Sequence, residues 1–237
     1  MVYRTEKKLK KLDDKQLYED IKKYIKYSHS FYETRVPELK VLAKRLHEEY
    51  SLRDFYNVFN RFWQSGSARQ MSLAIHTLQL FKEDFDLITW RFIKQKLKEI
   101  KSWDKIDSIA LNIIGEILLK NPEIGIEIIK FARLKNIWMK RAAIVSTIPT
   151  VRQKDFRIAL QIVNEHLYDK GEYSQKAIGW VLKEIGEQKP DSLRIYIKDN
   201  INMPLTTFFA ATEAHKELRN LRELEKEIKT NKFNFWR

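Results

Sequence analysis

The sequence predicts an all-α chain. Three observations carry this. Apolar residues recur at helical spacing along almost the whole length, and no segment shows a convincing apolar–polar alternation of strand type. The 237 residues include only 6 Gly and 5 Pro, too few for a turn-rich β architecture. With 43% hydrophobic and 32% charged residues, the composition is that of a soluble chain with ample material for a core.

The elements follow in order. Tyr18, Ile21 and Ile25 keep a helical period behind an N-cap at Asp13 or Asp14. Pro37 opens a second helix, Val36 to Tyr50, with Leu39, Leu42, Ala43 and Leu46 on its apolar side. Further helices are expected over Asp54 to Trp63, Ala68 to Phe81, Phe85 to Ile100 and Lys105 to Lys120, the last stopped by Asn121-Pro122. Pro122 then starts a helix to about Arg133. Asn136 to Ile148, Phe156 to Tyr168, Ser174 to Gly186, Pro190 to Lys198 and Thr206 to Lys229 complete the series.

Short connections between amphipathic helices point to an α-solenoid of HEAT-like repeats, whose period is about 40–47 residues. Trp103, Trp138 and Trp180 recur at comparable spacing. No linker divides the chain, so one domain over 1–237 is expected. Such stacks curve, and their concave face is where they bind.

Lys and Arg number 45 against 32 acids, giving a formal charge of +13. That balance favours a polyanionic partner, because neutralising phosphates releases counterions. The absence of cysteine excludes disulfides, thiol catalysis and thiolate metal sites. The 5 histidines show no metal-ligand spacing, so no metal is expected. No apolar run is long enough to span a membrane. The N-terminus lacks an apolar signal core. A cytoplasmic chain, with no membrane partner, is the expectation.

Three segments hold the chemically informative residues. In S-W-D-K-I-D-S, 102–108, Ser102 can cap a helix and Asp104 falls in its first turn, where carboxylates meet the positive helix end. Trp103 and Asp107 share a face at i,i+4. By spacing alone a structural role is favoured. In N-I-W-M-K-R-A-A-I, 136–144, Lys140 and Arg141 lie early in a helix, against its dipole, and need an anionic partner. A carboxylate and a phosphate satisfy that need equally. In S-Q-K-A-I-G-W-V-L-K-E, 174–184, Lys176, Trp180 and Lys183 form one stripe. It suits a stacked contact beside phosphates, or a part-buried Trp with snorkelling lysines. Gly179 inside this helix implies close approach of a neighbouring helix or ligand.

Together the three strings, in this order and spacing, resemble the AlkD-type DNA alkylation-repair glycosylases, a family of HEAT-like-repeat proteins. The likeness is strongest over about residues 100–185. It implies a curved solenoid with a basic concave cleft that grips double-stranded DNA. It also implies hydrolysis of the N-glycosidic bond of cationic alkylated purines such as 3-methyladenine and 7-methylguanine. The family needs no cofactor. Its active members act without the base-recognition pocket that most glycosylases use.

Carried over by motif, Asp107 is the catalytic carboxylate. Trp103 and Trp180 flank the damaged nucleotide, and Arg141 contacts the backbone near it. Lys140, Lys176 and Lys183 join Arg141 as expected backbone contacts of a monomeric enzyme. The alternative on the same scaffold is a non-catalytic DNA-structure-binding protein. Two departures from the family pattern stand out: Glu33 occupies a position where Gly is frequent, and 204–214 lacks the usual basic residues.

Overall fold

The computed structural model of the chain describes residues 36–223. The expected helix around Asp13 to Ile25, the Glu33 position and the aromatic tail from Phe233 lie outside them. Among the described residues the regular structure is all helical. The chain divides into two compact units, Met1–Phe92 and Ile93–Arg237.

In the first unit, α1 (Val36–Glu49) and α2 (Leu52–Gln64) both pack on α3 (Ala68–Leu80). Ser51 caps α2 by accepting from the Asp54 N–H. Phe55, Phe59 and Leu73 are fully buried. Phe59 stacks on Trp63 and meets Phe92 edge-on. Helix α4 (Leu87–Leu97) carries the boundary between the units, and Asp86 caps it with bonds from the Ile88 and Thr89 N–H groups.

In the second unit, α5 (Trp103–Ile109) runs through a π-helical segment, Ala110–Ile114, into α6 (Gly115–Lys120). Then follow α7 (Gly125–Ala132), α8 (Ile137–Val145), α9 (Ile148–Arg152) and α10 (Arg157–His166). The series ends with α11 (Glu172–Gln188), α12 (Pro190–Asp199) and α13 (Leu205–Ala211). Helix α8 packs on α5 and on α11, and α11 packs on α13. Thus the first helices of successive repeats stack in a row, while α7, α10 and α12 serve as their partners. The core of this unit is built from Ile106, Ile109, Ile113, Ile144, Val181 and Phe208, none more than 1% exposed.

The repeat period is legible in the cross-repeat bonds. Lys94 reaches Glu127 across 33 residues, Arg133 reaches Glu165 across 32, and Tyr196 reaches Asn164 across 32. The period is therefore shorter than the HEAT value of about 40 or more. It also changes which residues correspond. The repeat equivalent of Trp103 and Trp138 is Tyr173, not Trp180.

Two expected helices end differently. The helix expected to run from Asn136 to Ile148 stops at Val145 and restarts at Ile148. Pro149 has no N–H to donate to the Val145 carbonyl, and its ring would clash there. The long terminal helix expected from Thr206 breaks after Ala211. Its cap residue, Thr212, folds its hydroxyl back onto the Phe208 carbonyl, and a separate 3-10 turn follows at Lys216–Arg219.

Lys154 is the one non-glycine residue at positive φ among those described, at 64°. It closes α9, donating from its N–H to the Val151 carbonyl at 2.8 Å. That left-handed conformation costs an L-residue about 1–2 kcal/mol, part of which glycine returns through its own unfolded-state freedom. Lys154→Gly is expected to stabilise the protein by about 0.5–1 kcal/mol, read as a higher midpoint in thermal melting.

Candidate active site

The site is built on α5, α8 and α11. Ser102 precedes α5 in an extended conformation and makes no side-chain bond to the helix N–H groups. Its hydroxyl is instead bonded to Asp104. Burial alone would raise the Asp104 carboxyl, but Ser102 and the charge of Lys105 outweigh it and hold it below the ordinary range. The Lys105 Nζ lies 3.4 Å from the Asp104 carboxylate. Asp104 is thus absorbed by the helix start.

Asp107, a turn further in, has a different environment. Arg141 donates from Nε to Oδ1 and from Nη2 to Oδ2, each at 2.7 Å. This is a fork-on-fork pair, the strong geometry for these two groups. Its side chains are only 15% (Asp107) and 9% (Arg141) exposed. The third guanidinium nitrogen, Nη1, donates to the Tyr173 carbonyl at 2.7 Å. Arg141 therefore ties together α5, α8 and α11. Helix α8 is itself fixed by Asn136, which accepts from the Trp138 and Met139 N–H groups.

Aromatic side chains lie on the same three helices, Trp103 on α5, Trp138 on α8 and Tyr173 on α11. Trp103 is 48% exposed, one turn before Asp107 on the same face. The Trp138 and Tyr173 rings meet at 4.9 Å, tilted by 53°. The π-helical segment begins three residues after Asp107, at Ala110. Such segments appear often at functional sites.

Trp180 is half-buried, and its indole N–H donates to Glu184 Oε1 at 2.9 Å. Glu184 is in turn gripped by Arg152 through two bonds of 2.8 Å. Burial would raise the Glu184 carboxyl, and the bonds from Arg152 and Trp180 hold it down.

The expected cations all have carboxylate partners. Lys140 pairs with Asp169, a part-buried contact. Lys176 pairs with Glu172 at 2.6 Å, and Lys183 with Glu213 at 2.7 Å. Of the two partners open to Lys140 and Arg141, the structure supplies carboxylates for both. Sequence reading missed the Tyr173 carbonyl, the Trp138–Tyr173 contact and the Glu184–Arg152 pair. The i,i+4 spacing of Trp180 and Glu184 signals their own contact, and nothing in the sequence signals Arg152. Among the described residues no group of three or more His, Asp or Glu side chains could hold a metal ion. No described helix is long and apolar enough to cross a membrane.

Three comparisons bear on identity. No curated protein matches the chain. Solved structures share its fold. A protein of Enterococcus faecalis described as a predicted DNA alkylation repair enzyme aligns with a TM-score of 0.67 at 17% identity, covering 83% of this chain and 93% of that one. AlkD2 from Streptococcus mutans aligns with a TM-score of 0.61 at 17% identity, covering 84% and 97%. The sequence model of the DNA alkylation repair enzyme family matches residues 5–218. The chain, with its helical repeats and its three motifs, belongs to the family of DNA alkylation repair enzymes.

Proposed function

We propose that the protein is a DNA glycosylase that removes cationic alkylated purines, of the 3-methyladenine and 7-methylguanine type, from double-stranded DNA. The observation that carries this reading is Asp107: a carboxylate oriented by Arg141, one turn from an exposed Trp103.

The chemistry asks little of the protein. Alkylation at N3 or N7 leaves the purine positively charged. As the C1′–N bond breaks, its electron pair returns to the base, which leaves neutral, and positive charge develops on the sugar. Water oxygen then bonds to C1′ and gives up a proton. A carboxylate beside C1′ stabilises the sugar charge and orients that water. Both Asp107 oxygens are engaged by Arg141, yet each oxygen keeps a further acceptor site for water. Trp103 and Trp180 offer electron-rich faces to the cationic sugar or base.

Arg141 has five N–H donors and uses three here, so two remain for a backbone phosphate. Lys176 and Lys183 can exchange Glu172 and Glu213 for phosphate at small cost, because those glutamates are 69% and 67% exposed. Lys140 would have to leave a part-buried aspartate, so its contribution is expected to be the smaller one. On this reading residues 1–237 act as one monomeric DNA-binding unit, without metal or cofactor.

The test is release of free 7-methylguanine from a methylated duplex, followed by chromatography of the released bases. Release above the uncatalysed rate supports excision. Salt-sensitive duplex binding without release would replace it with the non-catalytic DNA-structure-binding reading.

A further inference from the structure

The acid-after-tryptophan arrangement occurs twice. Trp103 is followed four residues later by Asp107, which Arg141 clamps from the neighbouring repeat. Trp180 is followed four residues later by Glu184, which Arg152 clamps in the same bidentate manner. The two clamps differ in what their carboxylates can reach. Asp107 keeps 15% of its side chain exposed, whereas Glu184 keeps 5%. Glu184 is the less accessible of the two, and both its oxygens are already bonded.

What Glu184 does reach is the indole. Its Oε1 accepts from both Arg152 Nη2 and Trp180 Nε1, and its Oε2 accepts from Arg152 Nε. A buried carboxylate is expensive to maintain, and an apolar side chain of similar size would often stabilise the fold as well or better. At this position the carboxylate does something an apolar side chain could not: it anchors the nitrogen edge of a half-buried tryptophan. Arg152 sits at the end of α9, with 47% of its side chain exposed, and holds Glu184 from outside the helix.

We infer that Glu184, clamped by Arg152, is a positioning residue that fixes the orientation of the Trp180 indole for its contact with the damaged nucleotide. This rests on the excision reading above for the purpose of the contact, but not for the tether. Glu184→Gln keeps an acceptor for the indole but turns an amide donor toward the Arg152 donors, so the clamp is lost and the acceptor of the indole is no longer held in place. Trp180→Phe keeps the ring and removes the N–H. If Glu184 works through Trp180, the two changes do not add.

The experiment measures base release from methylated duplex for wild type, E184Q, W180F and the double variant, each well below its own melting midpoint. The indole N–H resonance of Trp180, assigned by its absence in W180F, is recorded alongside. E184Q is expected to lower kcat about tenfold, the scale of a lost orientation, with KM little changed. In the W180F background the same substitution should alter kcat by less than about twofold. The Trp180 resonance should shift in E184Q. An equal loss in both backgrounds, a loss confined to KM, or an unmoved resonance would each overturn the proposal. If the wild type releases no base, the excision reading fails, and the response of the indole resonance to E184Q then decides the tether by itself.

Discussion

Asp107→Asn is expected to lower base release from methylated duplex by about 100-fold or more, the usual scale for removing a group that stabilises transition-state charge. The substitution keeps the size of the side chain and removes its charge. It also disturbs the pair with Arg141. Asparagine offers one acceptor and one donor to a guanidinium that presents two donors at 2.7 Å. Arg141, only 9% exposed, then keeps an unsatisfied N–H in a poorly solvated place. A stability loss of about 1–3 kcal/mol should accompany the catalytic one, and melting of the same variant measures it. Asp104→Asn separates the two effects. Asp104 is 42% exposed and engaged by Ser102 and Lys105, so its loss should leave base release close to wild type. An Asp107→Asn protein as active as wild type would remove Asp107 from the proposed chemistry.

The repeat architecture was readable because each helix carries its own apolar period, and Gly and Pro are scarce enough to mark the breaks. The break at Ser146–Thr147 was also in the sequence, in Pro149, but a short helix of five residues falls below what periodicity can detect. The repeat length was misjudged for a specific reason. Tryptophans served as markers, and one repeat carries Tyr173 in the equivalent place. With Tyr173 in the series, the first-turn aromatics recur every 35 residues, close to the 32–34-residue spacing of bonds such as Arg141 to Asp107 and Thr207 to Gln175.

The candidate site was legible only in part. Trp103, Asp107, Arg141 and Trp180 could be picked out, yet spacing left the partner of Arg141 open between phosphate and carboxylate. That choice depends on which residue lies across from it in the next repeat, a matter of three-dimensional stacking. The Arg152 clamp on Glu184 is hidden in the sequence for the same reason. A glutamate in the second half of a helix reads as a solvated charge until Arg152 arrives from another helix to bury it. In the segment without basic residues after Pro204, Glu213 is the partner of Lys183.

Gly179→Ala should be among the most destabilising single-methyl additions in the described residues. The sequence called for a close neighbour at this glycine, and α13 is that neighbour. A Cβ on Gly179 would lie 2.4 Å from the Ala210 Cβ, 2.7 Å from the Thr207 carbonyl oxygen and 3.2 Å from the Ala211 nitrogen. Two of these are backbone atoms inside α13, so no rotamer change relieves the clash. Alanine's better helix propensity returns up to about 1 kcal/mol, against an overpacking cost of about 1–3 kcal/mol that rigid backbone pushes upward. A net loss of about 2 kcal/mol is expected, lowering the melting midpoint by roughly 4–8 °C. Gly125→Ala is the matched control. Its Cβ would meet the Ile158 Cδ1 at 2.5 Å, the free end of a flexible side chain, and the midpoint should stay near wild type. The packing has a consequence for the site as well. Gly179 precedes Trp180 on α11, so forcing α11 away from α13 displaces the indole and its Glu184 anchor together. The Gly179→Ala protein should therefore lose base release even at temperatures where it remains folded, whereas Gly125→Ala should not. A Gly179→Ala protein that melts and reacts like wild type would mean that α11 and α13 do not pack this closely in solution.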